Sequence, residues 1–301
     1  MPKKIHIVCV SMIAVAGAMF CYSALAQTGK TASSGDSMDR TKVLRAAADA
    51  LGMIRWSDIG AGPTRLPGID VVNTMEIFAS GTIYTNGQPS MAEYHAAVGY
   101  IPPAMRVEIT RKGVSGDAAH TIQTVRENYA WNESEIGGGL IPGKGTATPA
   151  QPAVKARLLQ LWILPYGVVK AAIAAGDKTQ ISKEDGSTIV TFPLSGPLAG
   201  ITLTATLDSK SLITKVESKP SNPSQTNLAR EVEYSDYADH GEILTDMKSP
   251  GHIVEKEAGK PLLDLQVKMV NADNPYLVFP VPQNVKAAAA TQTSASANTA
   301  K

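Results

Sequence analysis

Seven consecutive residues, Ile201-Thr202-Leu203-Thr204-Ala205-Thr206-Leu207, alternate strictly between aliphatic and threonine side chains. In an extended chain successive side chains point to opposite faces, so this run puts every aliphatic group on one side and every hydroxyl on the other. A helix cannot sort them this way. The same period recurs along the chain. Residues 74–84 place Met75, Ile77, Ala79, Gly81 and Ile83 on one face, and Asn86-Gly87 follows as a hairpin turn. Further strands are expected at 94–100, 105–111, 121–131, 188–194, 212–219, 229–237, 252–257 and 262–270, with Asp185-Gly186 and residues 207–210 as tight turns. Short strands joined by tight turns imply a curved antiparallel sheet. The fold class expected is α+β, mostly antiparallel β, with helices covering the concave apolar face of a half-open barrel.

Two segments carry the helical period instead. In residues 38–54, Asp39 is a plausible N-cap and Val43, Leu44, Ala47, Leu51 and Ile54 share one face, with Gly52 weakening the last turn. Gly60, Gly62, Pro63, Pro67 and Gly68 mark 57–68 as a loop. The strongest helix is expected over 149–175, capped by Thr148 with Pro149 at its first position. Leu158, Leu161, Trp162 and Pro165 line up along it, followed by Val168, Val169 and Ile173, and Pro165 is expected to kink or split it. Leu159, Ile163 and Leu164 make its middle apolar nearly all round, so it is either buried or covers something apolar. Residues 136–152 read as a glycine- and proline-rich loop. A single domain over 38–285 is expected between a flexible leader (27–37) and a disordered Ala/Thr/Ser/Asn tail (286–301).

The N-terminus reads as a secretory signal over 1–26. Lys3 and Lys4 precede an apolar stretch interrupted only by His6 and Ser11, and Ala24-Leu25-Ala26 is an A-x-A cleavage site. Export to the periplasm or beyond follows. The apolar stretch approaches the length of a membrane anchor, but the clean cleavage site favours removal. Lipid attachment at Cys21 is disfavoured by Phe20 before it. Cys9 and Cys21 both lie in the signal, so the mature chain has no thiol chemistry. Of 28 basic residues against 27 acidic, the signal removes Lys3 and Lys4, leaving a net charge of −1. That balance provides no footprint for nucleic acid or an anionic membrane surface.

Chemical motifs are few. Residues 138–145 match G-x-x-x-x-G-K but end in Gly145 where a magnesium-holding hydroxyl is required, and no strand leads from them into a helix. The five histidines are never closer than His240 and His252, which excludes the compact zinc motifs. Asp236, Asp239, His240 and Glu242 cluster in what reads as a solvated turn. Glu133 and Glu135 offer paired carboxylates that a charged strand end explains equally well. No nucleophile elbow is present. The expectation is a non-enzyme with no catalytic residue, metal or cofactor.

Several segments resemble known families. Residues 46–53, Gly81-Thr82-Ile83-Tyr84 with Gly87-Gln88, residues 157–162 through Pro165 and Gly167 to Lys170, and Tyr234-Ser235-Asp236-Tyr237 are similar to the N-terminal accessory domain of secreted hydrolases of the metallo-β-lactamase superfamily. The family's hydrolase domain and its metal-binding histidine motif have no counterpart here, so no metal ligand carries over. The element order, and residues 241–250, 252–270, Asn274 and Phe279-Pro280, resemble periplasmic lipoprotein carriers of the LolA/LolB type. That resemblance implies a half-open barrel with helices over an apolar cavity. The functional expectation is binding of a lipid, acyl chain or lipoprotein-like group under the 149–175 helix, lined by Leu158, Leu161, Trp162, Val168 and Val169. The same stripe is also what a filled core requires. The alternative is an accessory module for a separately encoded periplasmic hydrolase.

Overall fold

The computed structural model describes residues 39–53, 72–116, 119–241 and 247–299. The expected signal, the leader and the 57–68 loop lie outside the described residues. Helix α1 (Arg40–Ala50) starts as the sequence indicates: the Asp39 carboxylate accepts from the backbone N–H of Thr41 at 3.0 Å and Lys42 at 3.4 Å. Gly52 ends this helix rather than weakening it. At φ +71 it donates to the Asp49 carbonyl, while Met53 donates to that of Ala48. This pair of bonds satisfies carbonyls that the helix end would leave open.

The strands are β1 (Thr74–Thr85), β2 (Gln88–Tyr100), β3 (Pro103–Arg111), β4 (His120–Arg126), β5 (Tyr129–Glu133) and β6 (Ala147–Pro149), followed by helices α2 (Val154–Ile163) and α3 (Pro165–Ala174). Then come β7 (Gln180–Glu184), β8 (Ser187–Pro193), β9 (Ile201–Leu207), β10 (Ile213–Pro220), β11 (Arg230–Ser235), β12 (Ala238–Asp239), β13 (Lys248–Ser249), β14 (His252–Glu257), β15 (Lys260–Ala272) and helix α4 (Gln283–Thr299). Thirteen strands form one antiparallel sheet in the order β6-β5-β4-β3-β2-β1-β15-β14-β11-β10-β9-β8-β7, and β12 pairs with β13 separately. In β9 the alternation is fully expressed, with Ile201, Leu203, Ala205 and Leu207 buried and the threonines half-buried.

The expected strand over 121–131 is two strands. The chain reverses at Glu127-Asn128, where Glu127 takes φ +51 without a glycine to announce the turn. β7, too polar to stand out by alternation, completes the hairpin that Asp185-Gly186 signals. Strand pairing does not close the sheet: β6 and β7 are its two edges. The sheet is nevertheless strongly bent. Helix α2 packs against β3, β4 and β5 and also against β10, although β3 and β10 stand six positions apart in the order. At roughly 4.8 Å per strand, a flat sheet would hold those strands about 29 Å apart, far more than the ~10–12 Å diameter of a helix. Register shifts at Phe78/Ala79 and Glu255/Lys256 fall on strands flanking β15 and add to the bend. Gly81 lies where β1 meets β15 so closely that a Cβ would collide with the Asp264 carbonyl.

The expected 149–175 helix starts later and is divided. Thr148 does not cap it, and Pro149 is not its first residue, because Ala147–Pro149 pairs with β5 as an edge strand. Proline is tolerated on an edge because no ladder partner needs its missing N–H. A 3-10 turn (Gln151–Ala153) leads into α2. Leu164 is extended, at φ −59 and ψ 145, as the residue before a proline prefers, and Pro165 opens α3. The two helices bend by 98°. Gly167 makes this hook possible: a Cβ there would lie 2.6 Å from the Leu161 carbonyl oxygen. Among the described residues no single helix is long and apolar enough to cross a membrane.

The C-terminal segment also departs from expectation. Phe279 packs on Ala97 and Ala104, and Val285 on Trp131 and Ala147, all on the sheet face opposite the main core. Beyond them the expected disordered tail forms α4. Four successive alanines, Ala287 to Ala290, favour helix, and docked Val285 removes much of the cost of starting it.

Candidate functional site

The α2–α3 hook lies on the concave side of the sheet, where the main core is concentrated. Arg157 ties α2 to the sheet by donating to the Thr124 carbonyl at 3.0 Å, the Trp131 carbonyl at 2.6 Å and the Asn132 side chain at 2.5 Å. Burial lowers its pKa to about 10, which leaves it cationic at neutral pH. On the side facing β11 and β2, Tyr234 donates its hydroxyl to the Ile163 carbonyl at 2.9 Å and Gln160 donates to the Tyr94 hydroxyl at 3.3 Å. Tyr166 on α3 donates to the Lys248 carbonyl at 2.8 Å. Burial pushes the Tyr94, Tyr166 and Tyr234 phenols upward, so all three remain neutral, Tyr166 and Tyr234 as donors and Tyr94 as the acceptor from Gln160.

Among the described residues, two small voids lie beneath the hook. The voids between it and the sheet measure about 20 Å³, beside Gln160 and Leu164, and about 10 Å³, beside Leu164 and Tyr166. Each is at most the size of one water molecule. The underside is not purely apolar either. Glu255 projects into it, paired with Arg230 at 2.6 Å. Burial raises the Glu255 pKa, and the Arg230 charge opposes that rise.

The space lies on the flank of the hook. A cleft of about 470 Å³ opens between α2, α3, the β8–β9 connection and the turns that end β2 and β4. Its floor is Leu158, Ala171, Leu194 and Leu198, all buried. Trp162 forms one wall, its ring 5.9 Å from that of Tyr100 and tilted by 50°. The rim is polar and exposed, with Glu127, Asn128, Lys178 and Ser195.

The five residues expected to line a cavity thus separate. Leu158 and Trp162 border the cleft. Leu161, Val168 and Val169 are almost fully buried in the core and do not. Among the described residues the larger space lies beside the helix rather than under it, and the aliphatic stripe packs against the sheet. The rim residues were not anticipated. They come from three separate segments, at 127–128, 178 and 195; on the floor, Leu194 and Leu198, two leucines flanking a glycine-proline turn, carried a sign of inward packing.

The other motifs resolve structurally. Residues 138–145 form a turn with an Ile141–Lys144 bridge and lead to β6, not to a helix. Glu133 is buried and accepts from the Thr124 hydroxyl, the Trp131 indole and the Gly137 amide, with Arg106 at 3.5 Å. It locks β4 and β5 to the following loop. Asp236 lies in the turn after β11, Asp239 pairs with Lys248 in the β12–β13 ribbon, and Glu242 lies outside the described residues. Among the described residues no three His, Cys, Asp or Glu side chains converge as a metal site.

No protein-family model matches the chain, and no curated protein is significantly similar to it in sequence. Solved structures show distant likeness. A LolA superfamily protein from Nitrosomonas europaea is 10% identical over 78% of this chain and 94% of its own, with a TM-score of 0.44. A DUF1329 family protein from Desulfovibrio piger is 8% identical over 79% and 94%, also at 0.44. A putative outer membrane lipoprotein-sorting protein domain from Vibrio parahaemolyticus is 9% identical over 79% and 95%, again at 0.44. Likeness at this level assigns neither a family nor a function. The similarity to metallo-β-lactamase-superfamily accessory domains finds no support in these comparisons.

Proposed function

We propose that this protein is an exported, non-catalytic binding protein that holds an apolar ligand, such as an acyl chain, in the cleft beside Leu158 and Trp162. One observation carries the reading: about 470 Å³ of space over a floor of four buried aliphatic side chains with a polar rim. That volume falls within the roughly 300–1,000 Å³ of small-molecule sites, which are likewise mostly apolar with a few polar groups. Each methylene transferred there from water contributes about 0.8 kcal/mol. The bent sheet then serves as a half-barrel wall with the hook seated against it, and the ligand lies beside the hook. Export rests on the signal-like residues 1–26.

Native mass spectrometry of the full chain purified from its own compartment is expected to show a bound apolar species. Ala174→Trp places a bulky side chain at an exposed position on the cleft lining. It is expected to abolish that species and leave the thermal melting curve in place. Retention of the ligand by a folded Ala174→Trp protein would refute the cleft as its site.

A further inference from the structure

We propose that the cleft selects an anionic single-chain amphiphile, with the alkyl tail on the floor and the charged head at Lys178. The inference rests on the cleft being an apolar-ligand site and adds the chemistry of the head group. Two charged side chains, Glu127 and Lys178, line the cleft, both at its exposed rim. Their surroundings differ. The Glu127 carboxylate has a cation beside it, the Arg126 Nε at 3.5 Å. Arg126 is itself held in place by donating to the Phe279 carbonyl at 3.1 Å. Lys178 follows an aspartate in sequence, but the Asp177 carboxylate is engaged by Arg40 at 2.8 Å. Among the described residues no carboxylate forms an ion pair with Lys178.

The rim therefore holds one ammonium without a counter-charge, next to an apolar floor. A ligand that buries its tail on that floor and ends in an anion places its charge near Lys178. Water is partly displaced there, and an ion pair gains over its value in bulk solvent. A neutral hydroxyl head gains only a hydrogen bond from the ammonium and no charge pairing, and a cationic head is repelled. Asn128 and Ser195 add neutral hydrogen-bonding groups on the same rim. Carboxylate and phosphate monoester heads share this chemistry.

The test is calorimetric titration of the full chain with dodecanoate, dodecyl phosphate and dodecanol, each below its aggregation concentration, repeated with Lys178→Glu. Lys178 is exposed, so the variant is expected to keep its melting temperature. Both anions are expected to bind about two- to fivefold more tightly than the alcohol, the scale of an exposed ion pair. Lys178→Glu reverses the charge at the rim and is expected to remove or invert the margin of the anions over the alcohol. A margin for one anion only would identify the head as carboxylate or phosphate. Equal binding of all three probes, unaffected by Lys178→Glu, would overturn the head-group selection and leave the apolar-ligand reading intact. If none of the three binds, the reading of the cleft falls, and the selection with it.

Discussion

The α2–α3 hook meets the rest of the molecule on two sides, and the contacts differ in kind. Toward the sheet, Leu161, Val168 and Val169 are almost fully buried, and the voids among the described residues there are water-sized. Toward the β8–β9 connection, Leu158 and Trp162 of the same helix face a cleft of about 470 Å³. Both flanks are largely apolar, with Glu255 on one and the rim residues on the other, so hydrophobicity alone does not distinguish them. What differs is the opposing surface. A pleated sheet presents side chains at a regular spacing that helix side chains can fill. A loop such as Pro193 to Leu198 follows its own backbone turns, held by Leu198 N–H to Ser195 carbonyl and Ala199 N–H to Gly196 carbonyl bonds. It touches α2 at Gly196–Leu198 but does not follow the helix surface, and space is left beside the contact.

This contrast makes separable predictions. Leu161→Ala removes a fully buried side chain from the sealed flank. It is expected to cost about 2–5 kcal/mol in denaturant unfolding, while the protein that remains folded binds ligand as before. A stability loss below that range, together with lost binding, would mean that Leu161 faces the ligand and that the two flanks are misassigned.

Gly167→Ala tests the hook itself. The new methyl group would meet the Leu161 carbonyl and Trp162 backbone, and neither is free to move aside. The expected loss is about 1–3 kcal/mol, the scale of overpacking, read as a lowered melting temperature. Because the strain falls on the α2–α3 junction, ligand affinity is expected to fall as well, in contrast to Leu161→Ala.

The smallest effect serves as a control on the outer face. His95 on β2 lies between Glu108 and Glu76, with Nδ1 3.0 Å from one carboxylate and Nε2 3.1 Å from the other, and its ring stacks on Phe78 at 4.2 Å. His120 stands 3.8 Å from the other Glu108 oxygen. A neutral imidazole can donate through one nitrogen only, so the imidazolium is the form that satisfies both carboxylates. The hydrogen bond to Glu108 leads the effects that raise the His95 pKa above its ordinary 6.5, and the same bond lowers that of Glu108 from 4.5. The sign follows from linkage. The His95 contribution is complete below about pH 6.5 and fades as pH rises through the raised value, whereas that of Glu108 is complete above about 4.5 and fades as pH falls through the lowered value. Stability against denaturant is therefore expected to carry a contribution of at most about 1 kcal/mol between those limits that His95→Gln removes. Cleft binding is expected to be indifferent to the change. A pH-dependent affinity that disappears in His95→Gln would show that the outer face and the cleft are coupled.

Much of the architecture was legible before any coordinates. The alternation at Ile201 to Leu207, the Asn86-Gly87 turn, the Asp39 cap and the break at Pro165 each act within a few residues, so their consequences can be read locally. The reversal at Glu127-Asn128 was hidden because the left-handed position is taken by Glu127, not by a glycine or asparagine, and Asn128 alone is a weak signal. It occurs because pairing of β4 with β5, and of Glu127 N–H with the Pro103 carbonyl, stabilises it from outside. α4 was hidden because an alanine-rich segment suits helix and coil alike until something anchors its first turn. Of the site, Leu158 and Trp162 were visible as part of an apolar stripe, but nothing in a stripe tells which member meets a strand and which meets a gap.

From residue order alone came the antiparallel strand ladder, the two apolar helices and the place where the second must break, because each depends on backbone geometry over one or two turns of chain. Folding in three dimensions assigned the sealed and open flanks, sent residues 147–149 to a sheet edge and brought Lys178 to a rim shared with Glu127. Those outcomes depend on segments tens of residues apart meeting across a bent sheet, and the volume left between them is a property of the whole packing rather than of any segment.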